Sequence, residues 1–312
     1  MGGGGGAFNS NYDSEKYKQI LRETETRTSN LPFESTVNSL INDILSHYNQ
    51  DSDRTNDHIA QLKGTLEDGI DGVLEMRFGG SVHKHTFVDG LSDIDILVIV
   101  NRTELRESSP KAIQQYIRDK LIETRDRDIT DIKVGDIAVT VTFSDGEQIQ
   151  LLPALRENDG YKIPGESSVK WSDIIRPDKF ANRLSEVNQA CGGKVVPVVK
   201  LAKDIIYSLP RDQQLKGYHI ESLAVEIFKS YPETASKTPR SLLEYFFDTA
   251  KNLVKRPIED KTGQSLHVDD YLGQADSSER QKISYVLDRI SRRMKNADRV
   301  GSVDEWRSIL GL

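Results

Sequence analysis

Arg77-Phe-Gly-Gly-Ser-Val-His-Lys-His-Thr-Phe-Val-Asp-Gly-Leu-Ser-Asp-Ile-Asp-Ile-Leu-Val-Ile-Val100 is the stretch on which the fold turns. It opens with Gly79-Gly80-Ser81, a turn whose backbone N–H groups are unshielded by side chains and suit an anion. It closes with Asp93-Ile94-Asp95 running into a wholly apolar segment. Two carboxylates one residue apart on a strand point to the same side. They repel each other unless a divalent cation lies between them. The apolar continuation to Val100 reads as a central strand, covered on both faces.

Outward from this stretch, residues 71–78 read as a strand leading into the turn. Before it, Phe33, Val37, Leu40, Ile41, Ile44, Leu45 and Tyr48 recur at helical spacing, which predicts a long N-terminal helix over 33–48. A second helix is expected near 54–68. After it, Pro110 sits where a first helical turn starts, and Ile113, Tyr116, Ile117 and Leu121 carry that helix to about 124. Two strand-like runs, 132–143 and 147–153, flank Ser144-Asp145-Gly146, a hairpin signal. The second half is helical in pattern at Phe180–Gln189, Val195–Leu209, Tyr218–Lys229, Ser241–Val254 and Ser278–Lys295. The segment 155–175 reads as irregular. The expectation is an α+β chain: residues 1–12 a glycine-rich arm, 13–160 a mixed sheet with flanking helices, 161–312 a helical lobe.

Composition narrows the function classes. The 312 residues carry 42 Lys and Arg against 49 Asp and Glu, a net charge of −7, which argues against a protein built to coat DNA or RNA. No apolar run reaches the length of a membrane span, and no secretory leader is read at the start. The single cysteine, Cys191, excludes an internal disulfide and a cysteine-rich zinc site. A cytoplasmic protein without membrane or large nucleic-acid partners is expected.

Either the Gly-Gly-Ser turn or the Asp-x-Asp pair alone is a common turn or strand end. Together they read as a nucleotidyl-transfer site, because that chemistry needs in-line geometry and charge neutralisation more than covalent help. Asp93 and Asp95 supply hard oxygen ligands for Mg2+ or Mn2+. Ser81 is placed to hold a phosphate oxygen of an NTP. His83 and His85 read as a polar flap over the phosphates rather than as metal ligands.

At these residues the chain resembles the bacterial cGAS-like nucleotidyltransferases (CD-NTases), the cyclic-oligonucleotide synthases of CBASS anti-phage defence. They belong to the polymerase-β-type superfamily with oligoadenylate synthase and poly(A) polymerase. The resemblance rests on Gly80-Ser81, Thr86 and Ser92-Asp93-Ile94-Asp95. It continues through the Phe143-Ser-Asp-Gly hairpin, Leu151-Leu152-Pro153-Ala154, Lys200, Lys203 and Gly217-Tyr218-His219-Ile220-Glu221. It runs in the family's order from about residue 33 to about 290. It implies a polymerase-β-like nucleotidyltransferase core, an oligoadenylate-synthase-like helical lobe, and an active site in the cleft between them. It further implies Asp93 and Asp95 as catalytic metal ligands, Gly80, Ser81, Lys200 and Lys203 at the triphosphate, and Tyr218 stacked on a base. The implied product is a cyclic oligonucleotide made from ATP or other NTPs, read by a downstream effector.

One position departs from that pattern. The family's third carboxylate falls at Gln150, whose amide oxygen can ligate a metal but brings no charge. Glu147 is an alternative ligand if a bulge changes its parity. Two other functions stay open: a linear or terminal nucleotidyltransferase, which keeps the fold and changes the product, and, on the ground of Gln150, a non-catalytic nucleotide sensor.

Overall fold

The computed structural model describes residues 32–48, 52–88, 94–124, 126–165, 169–260 and 266–312. Helix α1 covers residues 32–47 and α2 Ser52–Gly69. The strands are β1 (Gly72–Phe78), β2 (Ile94–Thr103), β3 (Ile129–Val134), β4 (Val139–Phe143), β5 (Gln148–Glu157) and β6 (Gly160–Lys162). The one-turn α3 (Gly80–His83) leaves β1, and α4 (Pro110–Glu123) separates β2 from β3. The strand order is β1-β2-β5-β4-β3, with β6 on the far half of β5. β2 and β5 are parallel and the other pairs antiparallel, so the sheet is mixed.

Parity explains the apolar run of β2. Ile94, Ile96, Val98 and Val100 face α2 and α4, where they are buried with Leu62, Leu66, Ile113 and Ile117. Leu97 and Ile99 face the other way and pack with Leu152, Ala154, Tyr161, Ile163 and Ile175. Both faces of the central strand are covered, so its pattern does not alternate. The helix α4 starts as expected, with the Ser109 hydroxyl accepting from Ala112 N–H and Pro110 in the first turn.

The expected run 132–143 is two strands. Gly135 N–H donates to Ala138 O at 2.8 Å and closes a turn that folds β3 back on β4. The Ser144-Asp145-Gly146 hairpin forms as read: Gly146 takes φ +92 and Phe143 N–H donates to Glu147 O. The segment 155–175 is more ordered than its pattern suggests. Besides β6 it contributes bridges between Tyr161 and Ile175 and between Pro164 and Trp171, which lay Ile163 and Ile175 on the sheet.

The helices α5 (Pro177–Ala190), α6 (Val195–Tyr207), α7 (Gly217–Phe228), α8 (Pro239–Leu253), α9 (Ser278–Val300) and α10 (Val303–Ile309) share one core, with α6 and α7 at its centre. Helix α1 belongs to this core and not to the sheet: Val37 and Ile41 are fully buried in it, and Tyr48 donates to Asp204 at 2.6 Å. The hydroxyls of Thr238, Ser277 and Ser302 cap α8, α9 and α10. Short polar residues at these starts satisfy N–H groups that the helices leave orphaned. The glycine-rich arm, 1–12, lies outside the described residues.

Candidate active site

The sheet face opposite α2 and α4 opens into a cleft of about 340 Å³, lined from one side by Arg77, Gly79, Gly80, Asp95, Leu97 and Leu152. From the helical side Asp178, Phe180 and Tyr218 close it. β1 and β2 bring its polar end together: Gly79 N–H donates to Asp95 O at 2.7 Å. Gly80 then takes φ +45 directly under the Asp95 carboxylate. A Cβ at Gly80 would lie 1.6 Å from Asp95 Oδ2, so any side chain there must displace the Asp95 carboxylate as well as strain the backbone.

In the parallel pairing of β2 with β5, Asp95 is the register partner of Gln150, which places both side chains on the cleft face of adjacent strands. Glu147 is not available as a substitute. Its carboxylate accepts from Thr55 and pairs with His58 Nδ1, whose ring stacks on Phe143 at 3.8 Å, so it belongs to the α2 side of the sheet. Asp93 lies outside the described residues, as does Ser92. Among the described residues no cluster of three or more His, Cys, Asp or Glu side chains stands ready to hold a metal.

Ser81 is buried beneath the turn and does not line the cleft; its carbonyl accepts from Thr86 N–H at 2.9 Å. Tyr218 does line it, with its ring 5.0 Å from that of Phe180 and its hydroxyl donating to Asp260 at 2.9 Å. Lys200 instead lines a second cavity behind α3, with Val82, His85 and Phe87. Burial, and after it the neighbouring Lys203, lower the Lys200 pKa.

Lys203 is 2% exposed and sits in a network that joins the two halves of the molecule. Its ammonium donates to Glu221 Oε1 and to Thr86 O, both at 2.9 Å. Thr86 Oγ1 donates to the same Glu221 oxygen, and Lys84 donates to the other. The Lys84 ammonium also stands 5.2 Å from the Phe180 ring and 5.0 Å from that of Tyr218. Burial alone would raise the Glu221 pKa, but Lys84, Lys203 and Thr86 together pull it down to about 2. For Lys203 burial outweighs Glu221, and its pKa is lowered. A second cross-link joins His83 Nε2 to Asp178 at 2.9 Å. In the sequence Glu221 figures only as the last residue of the Gly217–Glu221 motif. An acid at 221 among Ile220, Leu223, Ala224 and Val225 is the signal of a buried charge partner.

No family model matches the sequence, and no curated protein matches it either. Solved structures do. The CdnC of Escherichia coli MS115-1, solved with ATP, shares 16% identity over 88% of this chain and 92% of its own, with a TM-score of 0.61. The fold is that of the bacterial CD-NTases. The CD-NTase CdnG of Bradyrhizobium diazoefficiens, in complex with GTP, matches with TM-score 0.63 at 12% identity, over 90% of this chain and 96% of that one. The Vibrio cholerae DncV cyclic AMP-GMP synthase, with a linear intermediate bound, matches with TM-score 0.60 at 13% identity, over 96% of this chain and 89% of that one. The CD-NTase fold is thus present nearly end to end. In the described helices, none is long and apolar enough to cross a membrane.

Proposed function

We propose that this chain is a template-independent nucleotidyltransferase that joins ATP or other NTPs into a cyclic oligonucleotide signal. One observation carries the reading: the Gly79-Gly80 turn packs directly against Asp95 at the polar end of the cleft. An anion-accepting turn pressed against a metal-type ligand serves a metal-bound polyphosphate and few other molecules. The CD-NTase fold supports the same conclusion, since solved relatives include cyclic dinucleotide synthases. A role in anti-phage signalling, with an effector that binds the product, follows from the family resemblance.

Asp95 and Gln150, with Asp93 two residues before Asp95 in sequence, offer only oxygen donors, which fits Mg2+ or Mn2+. When bound, such an ion would neutralise phosphate charge at the α-phosphorus and the leaving pyrophosphate. The Gly79-Gly80 backbone then cradles the triphosphate, and Phe180 and Tyr218 offer flat faces to a base. Asp260 fixes the Tyr218 hydroxyl and so orients that ring. In the reaction a ribose hydroxyl oxygen bonds to the α-phosphorus, the bond to the bridging oxygen breaks, and pyrophosphate leaves with its electron pair. Gln150 cannot take the hydroxyl proton, which leaves that role to Asp95, or to Asp93 as the family resemblance implies.

Incubating the chain with mixed NTPs and Mg2+ or Mn2+, and resolving products before and after phosphatase, tests the reading. A phosphatase-resistant ring supports it. A phosphatase-sensitive ladder would favour a linear polymerase, and nucleotide binding without pyrophosphate would favour a sensor.

A further inference from the structure

Three side chains with donor nitrogens reach the cleft, and two are already matched. His83 pairs with Asp178 and Lys84 with Glu221. Arg77 has no carboxylate partner among the described residues. There its guanidinium makes one hydrogen bond, from Nη1 to the Tyr161 hydroxyl, and its Cζ lies 5.9 Å from that ring. A guanidinium carries five N–H donors in a rigid plane and no acceptor. Most of the fork is therefore available to a ligand.

The sheet register locates that fork. Arg77 pairs with Leu97, and Leu97 with Leu152, forming a row across β1, β2 and β5. The row of Gly79, Asp95 and Gln150 lies two residues further along each strand, about 7 Å away. Phosphate charge is served at the Asp95 row. The floor beside Arg77 is Leu97 and Leu152, with Ile163 and Ile175 beyond, and all four are buried apolar side chains. A phosphate there would meet the Arg77 guanidinium but would lose water to the four apolar side chains around it. A nucleobase loses little on such a floor.

The chemistry of base edges then selects among bases. Guanine presents two adjacent acceptors, O6 and N7, which a guanidinium meets with two parallel bonds. Adenine replaces the first by an N6 amino donor, which would face a donor-only group. We propose that Arg77 is a specificity-determining residue that reads the O6/N7 edge of a guanine base lying on the Leu97–Leu152 floor. The assignment rests on the transferase reading for the position of the triphosphate.

The test is titration calorimetry of the full chain with GTP, ATP and 7-deaza-GTP, with Ca2+ in place of Mg2+ to hold turnover off. Wild type should bind GTP about tenfold more tightly than either of the others. In Arg77→Met, which keeps the length of the side chain and offers a base edge no donor, the three affinities should converge to within about twofold of one another. Arg77 is exposed, so the variant should keep the wild-type melting temperature. An unchanged preference in the variant, an equal loss for all three nucleotides, or no GTP preference in wild type would overturn the assignment. A parallel pyrophosphate assay separates the two readings. Arg77-dependent GTP preference without pyrophosphate release overturns the transferase alone. Release without that preference overturns the Arg77 assignment alone.

Discussion

Single atoms decide the chemistry at Gly80 and Asp95. The Gly80→Ala methyl would meet the Asp95 carboxylate at 1.6 Å and would also hold an L-residue at φ +45. The conformational part costs about 1–3 kcal/mol, and relief of the clash must displace the metal-type ligand. Thermal melting should show a modest loss of stability, while turnover should fall as far as in Asp95→Asn, at least about a hundredfold. Gly80→Ala with wild-type turnover would separate the turn from the reaction. Gln150 is the complementary test. It is the register partner of Asp95, so Gln150→Asp places a charge beside the metal ligands. Higher turnover or a changed Mg2+/Mn2+ preference is expected, and identical profiles would put residue 150 outside the metal's reach.

Among elements, α7 and the segment after α3 depend on each other through Glu221. Two ammonium groups and one hydroxyl converge on this carboxylate, which is 1% exposed. Glu221→Gln leaves Lys203 buried without its counter-charge, and breaking such a pair costs about 3–5 kcal/mol. Urea unfolding should register that loss. Acidity should also expose it. Folded Glu221 titrates near 2 and the free side chain near 4.5. Its stabilisation is therefore present above about pH 4.5 and is lost as pH falls through about 2. On the same helix, buried His219 behaves as a second, separate sensor. Burial depresses its pKa to about 4 from 6.5, so the unfolded chain takes up a proton in that interval while the folded chain does not. Stability should climb between about pH 4 and 6.5, by on the order of 3 kcal/mol, and His219→Gln should flatten the climb. A wild-type melting temperature constant over that range would contradict the burial of a neutral ring.

These elements also show what a linear reading can recover. Strong periodicity locates α1, α2, α4 and α5 to α9, but not the short α10, and the Asp-x-Asp beside an apolar run locates β2. The turn at 135–138 was missed because Gly135 sits inside an otherwise continuous β-type pattern. β6 was missed because its three residues are ordered by long-range pairing with β5 and by the bridge from Tyr161 to Ile175. The lining of the cleft was legible where one strand or turn supplies it, at Gly80 and Asp95. It was illegible where two distant segments meet. Lys203 read as a phosphate contact because a helical lysine carries no mark of its partner, and its partner, Glu221, lies on another helix. Arg77 gave no signal until the register set it beside Leu97 and Tyr161.

For the whole molecule, the sheet and the helical lobe contribute opposite walls of one cleft and are joined at Lys84–Glu221, Lys203–Thr86 and His83–Asp178. The N-terminal helix, packed into the helical core, makes the two lobes a single interleaved structure in sequence as well as in space. The net charge of −7 suits small, metal-escorted polyanions better than a long nucleic acid. Mass spectrometry of the products from mixed NTPs, with wild type beside Asp95→Asn, tests the account most directly. Wild type should release pyrophosphate and yield an oligonucleotide without free phosphate ends, and Asp95→Asn should yield none while melting as wild type does. Equal product from both proteins would contradict a metal-bound triphosphate at Asp95.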